Sequence, residues 1–175
     1  MIQEVIGDAC EEEYRERASG AGPSPRERHD TVWSGTRPPR TIRVGLLGLG
    51  NIGSAVVRAI GRGLPELDRC DLNLVPVAAL IRDERKSRSL SARAIPATVN
   101  PDEFFRSRPD VVVEALGGIE PARTLIERAL RSGIPVVTAN KSVLAVHGPA
   151  LAKIARESGT DLLCEAAVVA GVPFL

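Results

Sequence analysis

An α/β fold with a doubly wound parallel sheet is predicted for this chain by three observations. Short apolar runs rich in valine, leucine and isoleucine alternate with segments of helical period from Thr41 onward. One run, Val44-Gly45-Leu46-Leu47, passes directly into Gly48-Leu49-Gly50-Asn51-Ile52-Gly53 and then into a helical pattern that continues to Ile60. Another, Asp110-Val111-Val112-Val113-Glu114-Ala115, is apolar enough at its centre to be covered on both faces and ends in Leu116-Gly117-Gly118.

In chain order, residues 1–40 differ from the rest. Asp8 to Ala18 is charged, while Ser19-Gly20-Ala21-Gly22-Pro23-Ser24-Pro25 and Arg37-Pro38-Pro39-Arg40 have linker composition, so a flexible N-terminal extension is expected there, with His29 and Trp33 tethered in it. Residues 41–175 form the predicted folded domain. The G-x-G-x-x-G spacing then gives each glycine a separate role. Gly48 permits a tight turn, Gly50 lets backbone approach a pyrophosphate, and Gly53 brings the helix against the strand. The helix amino end is left with N–H groups aimed at the phosphates, so the reading is a Rossmann-type dinucleotide-binding fold.

Helix Asn51–Gly61 is broken by Gly61, Gly63 and Pro65, and a second strand follows near Val75–Ile81. Because Pro76 has no N–H to give a ladder, pairing is expected only beyond it, from Val77. Arg82 and Asp83 leave that strand where such a fold meets the adenosine ribose, with Arg85, Lys86 and Arg88 behind. A carboxylate there binds a ribose 2′-hydroxyl and favours NAD, whereas arginines accommodate the 2′-phosphate of NADP. Arginine comes first, which leans the reading to NADP(H). A short strand at Ala97-Thr98-Val99 and a short helix opened by Pro101 precede the Asp110–Ala115 strand. After it come an amphipathic helix, Pro121–Ser132, closed by Gly133, and a strand, Ile134–Thr138. Ala139-Asn140-Lys141-Ser142 leaves that strand as a loop, a helix covers Pro149–Glu157, and a last strand runs Asp161–Glu165.

Composition removes several function classes. With 23 basic against 22 acidic residues the net charge is +1, so no global field recruits nucleic acid or an anionic membrane. No apolar run approaches the ~18 residues that span a bilayer, and because Met1-Ile2-Gln3-Glu4-Val5 runs into Glu11-Glu12-Glu13 without a basic and apolar lead, a secretory signal is not expected. Cys10, Cys70 and Cys164 lack CxxC spacing, so neither a disulfide framework nor a zinc site is indicated and a reduced, cytoplasmic protein is expected. Cys164 and His147 read as a core thiol and a helix-flanking imidazole. Lysine is scarce, at 86, 141 and 153 only, which draws notice to Lys141 at a strand's carboxyl end.

With these landmarks placed, Thr41–Leu175 resembles the nucleotide-binding domain of homoserine dehydrogenases. The resemblance rests on Gly48-Leu49-Gly50-Asn51-Ile52-Gly53, Val113-Glu114-Ala115-Leu116-Gly117-Gly118, Val137-Thr138-Ala139-Asn140-Lys141 and Glu165-Ala166-Ala167-Val168-Val169-Ala170-Gly171-Val172-Pro173, in that order. It implies NAD(P)H-linked interconversion of L-aspartate 4-semialdehyde and L-homoserine, on the route to threonine, methionine and isoleucine. By the same resemblance Gly48, Gly50, Asn51, Ile52 and Gly53 bind the pyrophosphate, Arg82 meets the adenosine side, and Leu116, Gly117, Thr138, Ala139 and Asn140 line the nicotinamide half. The resemblance also implies that Lys141 sits beside the reacting carbonyl; Glu114, which precedes the glycines within a buried strand, is expected only to cap backbone near the cofactor. Glu165, Val168, Ala170 and Val172 match positions whose backbone carbonyls hold a monovalent cation, usually sodium.

In that family the substrate carboxylates, a second lysine and a dimer-forming sheet come from the part beyond Leu175. The chain alone is therefore expected to bind cofactor without turnover, and a homo-oligomer is expected only where that part is present. Two other readings stay open on sequence: a free-standing NAD(P)-binding sensor or regulatory module, and another amino-acid-pathway dehydrogenase with the same first domain.

Overall fold

A computed structural model describes residues 39–83, 95–164 and 167. The expected N-terminal extension, the basic cluster Arg85, Lys86 and Arg88, and the cation positions Glu165, Val168, Ala170 and Val172 lie outside the described residues. Six strands, β1 (Arg40–Leu47), β2 (Leu72–Leu80), β3 (Ala97–Thr98), β4 (Val111–Glu114), β5 (Val136–Thr138) and β6 (Leu162–Leu163), form one sheet in the order β3-β2-β1-β4-β5-β6. Every pairing is parallel. This is the doubly wound order, in which the chain reverses direction across the sheet between β1 and β4, and ligands bind at the carboxyl ends of the strands at that switch. β1, which leads into the glycine triplet, is therefore central.

The helices are α1 (Asn51–Arg62), α2 (Pro65–Arg69), α3 (Pro101–Arg106), α4 (Ala122–Arg131) and α5 (Lys141–Glu157). Alternation along the strands sorts the core into two layers. Leu46, Ala79 and Ile81 pack with Val57 of α1 and with Leu49 and Ile95, while Leu47, Ala78 and Leu80 pack with Phe104, Ile126, Leu130, Val143 and Leu151 of α3, α4 and α5. Neighbours in sequence thus serve opposite faces, as a sheet covered on both sides requires.

Three local expectations are corrected. β2 begins at Leu72, well before Pro76, and pairs with β1 throughout. Its outer neighbour β3 reaches only Ala79 and Leu80, so Pro76 lies where β2 has one neighbour, and the register shifts there between Val44 and Gly45; proline is tolerated at an edge or a bulge. The helix expected from Pro149 begins instead at Lys141, because the Asn140 side chain accepts the Val143 N–H and caps it. Pro149 sits inside this helix. The carbonyl it leaves without an N–H, that of Ala145, belongs with Pro149 to an exposed stretch where water can replace the lost bond. Thirdly, α2 forms just after the chain breakers Gly61 and Gly63, with the third, Pro65, at its first position. Of the cysteines, Cys164 is a free thiol.

The glycine triplet behaves as its spacing requires. Gly48 has φ +102°, and a Cβ there would stand 2.8 Å from the Ala115 carbonyl oxygen; a Cβ on Gly53 would stand 2.0 Å from the Gly48 carbonyl oxygen. Strand, turn and helix are thus locked at backbone contact. Gly53→Ala is expected to destabilise the fold by about 3 kcal/mol, since no backbone shift inside the turn relieves the clash without opening it. Urea denaturation checks this, and a loss below about 1 kcal/mol would show that the helix can stand off from the turn.

Candidate functional site: the carboxyl rim between β1, β4 and β5

The amino end of α1 opens onto this rim. Gly50 is its N-cap with no side-chain hydrogen bond to the first turn, and no acidic residue stands in that turn. Nothing lies within 4 Å of where a Gly50 Cβ would be. The contrast with α3 is instructive: there Asn100 accepts the Asp102 N–H, and Asp102 and Glu103 supply negative charge. α1 has neither device, so its N–H groups and the positive end of its dipole remain available to an anion from outside.

Glu114 organises the opposite wall. Its side chain is fully buried at the end of β4. One carboxylate oxygen accepts the Leu116 N–H at 2.8 Å and the Asn140 side-chain amide at 3.4 Å; the other accepts the Thr138 hydroxyl at 2.5 Å. Thr138 in turn accepts the Asn140 backbone N–H at 3.0 Å. Asn140 completes the circuit by donating to the Gly118 carbonyl at 2.6 Å and capping α5. Among the described residues no buried side-chain polar atom lacks a partner, which is what makes a buried carboxylate tolerable. The network fixes the Leu116–Gly118 turn and the start of α5 relative to each other.

The same strand-to-helix device appears at β3. Thr98 donates to Glu103 at 2.5 Å and accepts the Asn100 N–H at 3.0 Å, and Asn100 caps α3. There the carboxylate is local. At β5 it comes from another strand, so a turn motif becomes a weld between two loops.

These walls enclose a cavity of about 460 Å³ lined by Asn51 and Ile52 of α1, by Ala115, Leu116, Gly117 and Gly118 after β4, and by Ala139, Asn140, Lys141 and Ser142 after β5. Seven of the residues named from the sequence thus meet in one place: Asn51, Ile52, Leu116, Gly117, Ala139, Asn140 and Lys141. Gly48, Gly50 and Gly53 form the turn beneath Asn51. Thr138 does not face the cavity; its side chain is wholly buried and spent on Glu114, because alternation along β5 turns it inward. Arg82 lines a neighbouring cavity of about 410 Å³. Its guanidinium reaches the Leu116 and Gly117 carbonyls at 2.6 and 2.7 Å. Ala115, Gly118 and Ser142 also line the first cavity, and could have been found as the immediate neighbours of residues that the sequence did single out. No cluster of His, Cys, Asp and Glu able to hold a metal occurs among the described residues, and no described helix is long and apolar enough to cross a membrane.

A family model for the NAD binding domain of homoserine dehydrogenase matches residues 48–165, which include the glycine turn, the Glu114 network and Lys141. The chain belongs to that family. Homoserine dehydrogenase of Bacillus subtilis (strain 168) is 39% identical over 140 residues, covering 78% of this chain and 32% of that protein. A crystal structure of Staphylococcus aureus homoserine dehydrogenase at pH 8.5 superposes with a TM-score of 0.69 at 36% identity, covering 74% of this chain and 33% of that one. A hyperthermophilic archaeal homoserine dehydrogenase in complex with NADPH shares the fold, with a TM-score of 0.62 at 20% identity over 77% of this chain and 47% of that one. The chain thus spans 32% of the length of its Bacillus relative.

The Glu114 network holds the cavity wall in register. Glu114→Ala is expected to cost about 2–4 kcal/mol by stranding the Thr138 hydroxyl and the Leu116 N–H, and Glu114→Gln clearly less, because an amide oxygen still accepts one of them. Denaturant midpoints of the two variants decide; equal losses would mean that the carboxylate is not what holds the turns.

Proposed function

We propose that this chain is the cofactor-binding part of a homoserine dehydrogenase that binds NADP(H) in preference to NAD(H) at the β1–β4–β5 rim. With the remainder of such an enzyme it would interconvert L-aspartate 4-semialdehyde and L-homoserine. The carrying observation is that the open end of α1, the Leu116–Gly118 turn and Lys141 line a single cavity at the switch point of the sheet. The residues present fit a dinucleotide: a glycine with open space beside it, an uncapped helix end, and a second cavity carrying Arg82 on the β2 side.

In this reading Gly48, Gly50, Asn51, Ile52 and Gly53 bind the pyrophosphate through backbone N–H groups, which approach closely because Gly50 has no side chain. Arg82 meets the adenosine end, where a guanidinium complements a 2′-phosphate. Ala115, Leu116, Gly117, Ala139 and Asn140 wall the nicotinamide end, and Thr138 supports them from behind. When bound there, a reduced nicotinamide would supply the hydride that the aldehyde carbon accepts. Lys141, in the first turn of α5, is placed by the Asn140 cap to hold its ammonium against the carbonyl oxygen, where it would polarise the carbonyl and stabilise or protonate the alkoxide. The resemblance also implies a sodium ion on the carbonyls of Glu165, Val168, Ala170 and Val172. The small-molecule substrate is the partner this chemistry needs, and neither nucleic acid nor membrane has a part in it.

Titration of the chain with NADPH and NADH, followed by nicotinamide fluorescence, tests the reading. Saturable binding is expected, with NADPH tighter by about tenfold, or 1.4 kcal/mol. Lys141→Ala is expected to change affinity little, while lowering kcat by about 10²–10³-fold when the chain is completed with the remainder of a family member. No saturable binding of either nucleotide would overturn the assignment.

A further inference from the structure

Three successive carbonyls of the turn after β4 are held by side chains from other strand ends. Arg82, just beyond β2, donates both N–H bonds of one guanidinium nitrogen, to Leu116 at 2.6 Å and Gly117 at 2.7 Å; Asn140, just beyond β5, donates to Gly118 at 2.6 Å. The turn needs such holding. Gly117 and Gly118 have φ +71° and +76°, and two consecutive glycines fix little by themselves. The Leu116 backbone is gripped on both sides of its Cα, its N–H by the Glu114 carboxylate and its C=O by the Arg82 guanidinium. Short, charge-assisted bonds of this kind are the strong ones. Leu116 is also the shared wall of the two cavities, lining the one that holds Lys141 and the one that holds Arg82.

We infer that Arg82 is a positioning residue for the nicotinamide end of the site, acting through Leu116 and Gly117, in addition to any contact with an adenosine 2′-phosphate. The inference rests on the cofactor assignment above and extends it. A residue that only recognised the 2′-phosphate would matter to NADPH and be indifferent to NADH. A residue that also sets the turn matters to both, because NADH uses the same nicotinamide wall. Arg82 therefore ties the two halves of the cofactor site together across the end of β1, which stands between β2 and β4 in the sheet.

The test measures dissociation constants of NADH and NADPH for the wild-type chain, Arg82→Ala and Arg82→Lys, with exchange of the Leu116 amide hydrogen followed in the nucleotide-free proteins. Arg82→Ala is expected to weaken NADH by at least about fivefold and NADPH by more, and to speed exchange at Leu116. Arg82→Lys keeps a positive charge for a phosphate, but its ammonium ends short of the terminal guanidinium nitrogen that makes both carbonyl bonds, so it should recover part of the NADPH loss while NADH stays weak; it also serves if the alanine variant does not fold. NADH affinity within about twofold of wild type in both variants, with exchange at Leu116 unchanged, would overturn the inference. Failure of the wild-type chain to bind either nucleotide would instead overturn the cofactor assignment, and the exchange rates would still judge the clamp.

Discussion

The carboxylate of Glu114 is the constraint on which the site depends. It is fully buried at the end of a central strand, and each of its partners is a donor from a segment that must be placed: the Leu116 N–H, the Thr138 hydroxyl and the Asn140 amide. Burying a carboxylate is costly unless its acceptor capacity is met, so the folded state favours the one arrangement in which the turns after β4 and β5 approach together. Asn140 extends the constraint into α5 by capping it, which sets where Lys141 begins the helix. A single buried group thus relates a cofactor wall to the side chain proposed to act on the substrate carbonyl.

The other wall is made by absence of side chains. Gly48 and Gly53 let strand, turn and helix meet at backbone distance, and Gly50 leaves open space at an uncapped helix end. Two of the other helices satisfy their amino ends internally: α3 and α5 have asparagine caps, each supported by a threonine two residues earlier. At α1, where a ligand can complete the hydrogen bonding, no side chain does so, which is the form of preorganisation an anion site needs.

Much of this was legible in the sequence because it is local. The glycine spacing implied strand, turn and helix; the valine run implied a central strand; the order of alternating elements implied the sheet. Pro76 and Pro149 mislead because where a proline sits matters more than the N–H it lacks. Pro76 falls where β2 has one neighbour, and Pro149 falls on an exposed stretch of a helix already begun by Asn140. The signal for that earlier start was present, in an asparagine two residues after the strand's threonine, the pattern that also opens α3. What the sequence could not show is pairing at a distance. Nothing near Thr138 announces that its partner lies 24 residues back at Glu114, or that Arg82 reaches 34 and 35 residues forward to the Leu116–Gly117 turn. The side chain of Thr138 is turned inward, where it holds the residues that line the cavity.

The central claim is that a dinucleotide lies across the end of β1, between the open helix end and the wall that Glu114 holds. A crystal structure of the chain with NADPH tests it most directly. The account predicts the pyrophosphate at the N–H groups of Gly50, Asn51 and Ile52, the nicotinamide between the Ala115–Gly117 turn and Lys141, and the Glu114 bonds to Leu116 and Thr138 intact. A nucleotide bound away from the β1–β4 switch, or seated there only after Glu114 has left Leu116 and Thr138, would contradict it.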